Sequence, residues 1–145
     1  MAYLLDVNIL IARSDPRHLH YDVVCEWFAD NRDTIQMTCP IVENGFVRIF
    51  GHSNYQGGPG SIEKAATYLN AIHLLPKHRF VPDDISLTSR KLFDSFSDIT
   101  SKHLTDVYLL ALAAKLGVKF VTLDANIRTG AVKNGVDYVE TVPLN

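Results

Sequence analysis

The sequence predicts an α/β fold in which a parallel sheet is covered by helices on both faces. Three observations point there. Short apolar runs alternate with helix-period segments along all 145 residues. The runs are apolar throughout rather than alternating with polar residues, as in strands buried on both faces. Two of them, "MAYLLD" and "VKFVTLD", close on an aspartate where a core strand would emerge into solvent.

Taken in order, the first strand is Tyr3–Leu5 and ends at Asp6. His20–Ala29 follows with Val23, Val24, Trp27 and Phe28 on one helical face. Thr34–Thr38 reads as the second strand. Pro40 then suits the first turn of a helix running to about Phe50, because its missing N–H has no partner there to lose. "GHSNYQGGPG", Gly51 to Gly60, holds four glycines. It reads either as a mobile loop over a cleft or as a flexible connector. Ser61 can cap a helix through Tyr68 and Ala71, with Ile72–Leu75 as the third strand. Asp84 can cap a helix carrying Ile85, Leu87 and Phe93. Leu104–Leu116, rich in Leu and Ala, is stopped by Gly117 in the position that favours a left-handed residue. Val118–Thr122 and Asp137–Val139 complete the strands. With no repeat and no linker, 1–145 reads as one domain.

Composition narrows the function. Hydrophobic residues make up 47% and charged ones 21%, an ordinary globular balance. No apolar stretch approaches the roughly 18 residues that span a bilayer. The amino terminus lacks a basic n-region, so no signal peptide is expected and the chain is expected to be cytoplasmic. Cys25 and Cys39 then read as small core residues, not as a disulfide. A net charge of −2 argues against capture of duplex nucleic acid by a broad basic surface. It leaves a nuclease open, since clustered carboxylates lower the sum and a bound cation reverses the local field.

The acids that matter stand at the ends of apolar runs: Asp6, Glu43, Asp106 and Asp124. A carboxylate leaving a core element costs free energy unless it is paired, hydrated or bound to a cation. Brought together beyond the carboxyl ends of parallel strands, these four make an oxygen-ligand site suited to Mg²⁺ or Mn²⁺. The bland alternatives are a strand-end cap for Asp6, a favourable helix-dipole position for Asp106 and a solvated helix face for Glu43. Asn8 can orient a ligand or phosphate oxygen, and Thr122 can bring a hydroxyl near the metal. His103, one turn from Asp106, can touch a phosphate or support the fold. Arg13, Arg48, Lys102 and Arg128 are candidate RNA contacts or ordinary surface charges. His18, His20 and Cys25 lack the spacing of a zinc motif. No Walker loop, Rossmann fingerprint or Gly-x-Ser-x-Gly elbow is present.

The segments "LLDVNILIA", "HLHYDVVCEWF", "CPIVENGFVRIF", "HLTDVYLLALAAKLG" and "FVTLDANI" together resemble a PIN-domain protein, more narrowly a VapC-type toxin of a bacterial toxin–antitoxin pair. They occur in the family's order and cover nearly the whole chain. The resemblance implies a three-layer α/β/α sandwich with a divalent-metal endoribonuclease site. Asp6, Glu43, Asp106 and Asp124 match its acidic quartet, with Asp6, Asp106 and Asp124 as metal ligands. It further implies an RNA substrate, a small VapB-like antitoxin whose tail blocks the cleft, and a homodimer. Asn8 stands where PIN domains often carry Ser or Thr, and Asn126 where a further acid sometimes stands, which leaves a second metal open. The competing classes are a housekeeping PIN nuclease, a phosphatase with Asp6 as nucleophile, and an inactive binding module. The phosphatase pattern usually has a second Asp where this chain has Asn8, and the intact quartet argues against the inactive module.

Overall fold

A computed structural model describes residues 1–144. Strand β1 (Ala2–Leu5) leads into helix α1 (Val7–Ser14) and helix α2 (Tyr21–Asp30). Strand β2 (Ile35–Thr38) is followed by α3 (Pro40–Phe50) and α4 (Ile62–His73). After β3 (His78–Phe80) an irregular segment leads to α5 (Leu104–Leu116), β4 (Lys119–Thr122) and β5 (Val139–Thr141). The five strands form one sheet in the order β3-β2-β1-β4-β5, and all the pairings are parallel.

This order explains the layers. The chain steps from β1 through β2 to β3 in one direction, then crosses back past β1 to β4. Right-handed crossovers put α1 to α4 on one face and α5 on the other. The packing agrees, with α1 against α2 and α3, α3 against α4, and α5 against β1 and β4. Helix α5 is buried nearly all round from Val107 to Ala113, as a helix pressed between sheet and loop must be. Gly117 ends it at φ 69°, a left-handed turn that a Cβ would strain. Gly45 sets the distance between α1 and α3: a Cβ there would lie 2.9 Å from Val7 Cγ2. The core runs through the sheet in Leu4, Leu5 and Phe120 and through the helices in Ile9, Leu10, Phe46, Phe50, Leu109 and Leu110. Both cysteines are free, Cys39 fully buried and Cys25 half-buried. Among the described residues no helix is long and apolar enough to cross a membrane.

Three sequence expectations are corrected. Ile72–Leu75 is not a strand: Ile72 and His73 end α4, and the third strand lies six residues later at His78–Phe80. No helix follows Asp84, which instead holds Lys115 on α5 through a 2.8 Å contact. The last strand begins at Val139 rather than ending there. The glycine-bearing loop is held to the ends of α1 and α3. Tyr55 donates a 2.7 Å hydrogen bond to Asp15, just past the far end of α1, and packs its ring on Phe50 at the far end of α3.

Candidate active site

Strand order reverses between β1, which sends the chain to β2, and β4, which sends it to β5. Such a reversal opens a crevice beyond the carboxyl ends of the two strands. Asp6 follows β1 directly and Thr122 ends β4. The two touch: Thr122 Oγ1 donates to Asp6 Oδ2 at 2.7 Å, with both residues buried. Asp6 Oδ1 accepts the Val7 N–H at 2.7 Å, so the carboxylate also caps α1. Helix α5 precedes a parallel strand and therefore begins at this same edge, which brings Asp106, in its first turn, to the crevice. Asp124, two residues past β4, accepts the Asn126 N–H at 2.8 Å.

The electrostatics put these three aspartates in one field. Burial, followed by the charges of Asp106 and Asp124, pushes Asp6 up to about 7 against the hydrogen bonds from Thr122 and Val7. Burial and then the charge of Asp124 also raise Asp106. A cleft of about 530 Å³ opens here, walled by Asp6, Asp106, Asp83 and the α3 residues Asn44, Gly45 and Arg48. Asp124 acts on both carboxylates without lining that wall.

A pH dependence follows. The folded chain holds the Asp6 proton to about pH 7, whereas an unfolded Asp releases it near 4. Between those values the native state binds more protons than the unfolded one, so metal-free stability falls as pH rises. Melting temperatures taken in chelator should show Asp6→Asn gaining on the parent across that window. A constant difference would mean that Asp6 is not strained by charge.

The supporting residues have definite work. Thr122 Oγ1, besides donating to Asp6, accepts from Asn8 Nδ2 at 3.2 Å and from the Asp124 N–H at 3.1 Å. Its proton and both lone pairs are engaged, so it positions Asp6 and does not offer a spare ligand. Asn8 also accepts the Leu123 N–H at 3.2 Å, tying α1 to the end of β4 rather than aiming into the crevice. His103 accepts the Thr100 N–H at 3.0 Å and builds the turn before α5. Of the basic candidates, Arg48 lines the cleft, whereas Arg13 stacks over Phe28 at 5.0 Å. Lys102 and Arg128 are exposed.

Glu43, like Asp124, does not line that cleft. The cleft-facing stripe of α3 is Ile41, Asn44, Gly45 and Arg48, and Glu43 lies off it. Its Oε2 accepts from Thr38 Oγ1 at 2.6 Å and lies 2.6 Å from His73 Nε2. Asp83 also stands at the cleft. Its signal in the sequence is the same as that of Asp6, an acid just beyond a strand, hidden because the third strand was expected too early.

No family model matches the chain. Over 97% of its length it is 35% identical to ribonuclease VapC38 of Mycobacterium tuberculosis, covering 98% of that protein. Its fold is similar to that of Mycobacterium tuberculosis VapC20, a sarcin-ricin loop cleaving toxin, with a TM-score of 0.65 and 14% identity over 97% of this chain and 99% of that one. VapBC2 from Rickettsia felis, solved bound to a DNA fragment from its promoter, matches with a TM-score of 0.61 and 13% identity over 99% of this chain and all of that chain, 100%.

Proposed function

The chain belongs to the VapC ribonuclease family, and from that premise we propose that it is a divalent-metal-dependent endoribonuclease, the toxin of a toxin–antitoxin pair. The observation that carries the proposal is that Asp106 and Asp124 act on the Asp6 carboxylate, and Asp124 on that of Asp106, at the reversal of strand order. Their all-oxygen donor set fits Mg²⁺ or Mn²⁺, and Asp6 is raised first by burial and then by like charges that a cation would offset. When bound, the cation supplies an activated water and offsets charge developing on the scissile phosphate.

The protein's own groups do the rest. Asp6 is held in one orientation by Thr122 and the Val7 N–H, and Asn8 fixes the β4 end that carries Asp124. Arg48, on the cleft wall, is placed to meet an RNA phosphate. Asp83 adds a further carboxylate to the cleft wall beside Asp6 and Asp106. In-line attack by water leaves 5′-phosphate and 3′-hydroxyl ends, and no side chain serves as covalent nucleophile. An antitoxin tail carrying Arg or Lys would pair with the aspartates and exclude the cation. The homodimer belongs to the same proposal.

Expression tests the toxin part. The chain alone should arrest growth of its host, and co-expression with a neighbouring basic-tailed partner should restore it. A harmless chain whose purified form still cuts RNA would make it a housekeeping nuclease instead.

A further inference from the structure

One carboxylate oxygen of Glu43 is fixed from two sides. Oε2 accepts from Thr38 Oγ1 at 2.6 Å and from His73 Nε2 at 2.6 Å. Among the described residues Oε1 has no hydrogen-bond partner. The Thr38 proton is spent on Glu43, so the 2.7 Å contact between Thr38 Oγ1 and His78 Nε2 is donated by the imidazole. His78 thereby sets the rotation of that hydroxyl. The His73 ring packs on that of His78, with centroids 4.3 Å apart and planes inclined by 38°. Donors from β3, β2 and the last turn of α4 thus converge on one oxygen of α3.

This carboxylate stands at the border of the cleft. Pro40 and Ile41, in the same first turn of α3, line the wall with Asp6 and Asp106. Strands β1 and β2 pair Leu4 with Met37, so Thr38 ends β2 within a residue of the level where Asp6 leaves β1. Burial first, and then the charges of Asp83 and Glu43, raise the thiol of Cys39, which precedes α3. Glu43 and the cleft carboxylate Asp83 therefore act on one buried point.

We propose that His73, together with Thr38, positions Glu43 for the cation site of the aspartates: the two donors occupy Oε2 and leave Oε1 as the oxygen the site can use. The inference rests on the metal-ribonuclease reading of that site. A glutamate on a helix has several staggered rotamers, and unheld it would exchange its two oxygens freely. A hydrogen-bonding partner that selects one orientation is what a carboxylate acting on a cation needs. His73 is a positioning residue and not a ligand, since its Nε2 is engaged by Glu43. It is also the part of the clamp that can be removed without opening the core. Its side chain is 38% exposed, whereas Thr38 is fully buried.

The test measures Mn²⁺ binding on the full chain, by loss of the free-ion electron paramagnetic resonance signal, beside RNA cleavage. His73→Leu should weaken Mn²⁺ by about 10–100-fold and lower kcat, with KM for RNA little changed. His73→Gln keeps an N–H donor at the reach of Nε2 and should recover most of both. Glu43→Gln should weaken Mn²⁺ as well, and adding His73→Leu to it should cost nothing further, because His73 acts only through that carboxylate. Melting temperatures in chelator separate these effects from a loss of fold. Parent-like Mn²⁺ affinity in His73→Leu, or additive losses in the double variant, overturns the proposal. So does a His73→Gln protein that melts as the parent does yet recovers no binding. A parent chain that binds no Mn²⁺ and cuts no RNA brings down the ribonuclease reading itself, and this inference with it.

Discussion

Asp6→Asn is expected to lower RNA cleavage by about 10²–10⁴ while leaving the fold intact. The factor follows from losing several kcal/mol of metal-derived transition-state stabilisation, at about 1.4 kcal/mol per tenfold. Asparagine keeps the shape of Asp6 and still accepts the Val7 N–H. It turns an amide toward Thr122, whose hydroxyl already accepts from Asn8 and Asp124, and that crowding costs a little. Against this, a buried charge facing Asp106 and Asp124 disappears. Metal-free melting temperature should therefore hold or rise slightly, since like charges repel when no cation lies between them. Side-by-side cleavage assays and melts in chelator read both halves. Near-normal cleavage by the variant would remove Asp6 from the site.

Phe46→Ala is the complementary experiment, with its large effect on the fold. Phe46 is fully buried between α3 and the sheet and stacks on Phe50 at 5.3 Å. Its removal leaves a cavity among neighbours that cannot fully collapse, at a cost of about 3–5 kcal/mol. Set against a typical stability of about 5–15 kcal/mol, this takes away a large share. Urea unfolding should show the midpoint falling with an unchanged slope. The surviving folded fraction should keep its activity per molecule, because no cleft-lining atom is touched. A loss below about 1 kcal/mol would mean that Phe46 is not packed as described.

The parts of this architecture legible in the sequence are those written in burial. Tyr3–Leu5 and Val118–Thr122 are central strands with apolar side chains on both faces, so a continuous apolar run located them. Pro40 and Gly117 marked helix ends because each has a backbone reason to be there. The edges were not legible for the converse reason. Strand β3 consists of His78, Arg79 and Phe80, of which only His78 is buried. Its pairing with β2 is made by backbone groups, which leave no side-chain pattern. The apolar Ile72–Leu75 offered a more strand-like run and belongs largely to the end of α4. Beyond Asp84, Ile85 and Phe93 pack on the core from irregular chain, so their spacing carried no helical meaning.

The site divides in the same way. Asp6, Asp106 and Asp124 could be placed from backbone alone, because parallel topology fixes where strands end and where the next helix begins. Glu43 could not. Which way a helical side chain points at a sheet edge depends on its partners, here Thr38 and His73, the second of them 30 residues distant.

The most direct measurement is cleavage of single-stranded RNA by the purified chain, with and without free divalent metal, followed by analysis of the new ends. With Mg²⁺ or Mn²⁺ the RNA should be cut internally, leaving 5′-phosphate and 3′-hydroxyl ends, and excess chelator should stop the reaction until metal is returned. Cleavage undiminished in chelator would contradict the aspartate–metal site at its root.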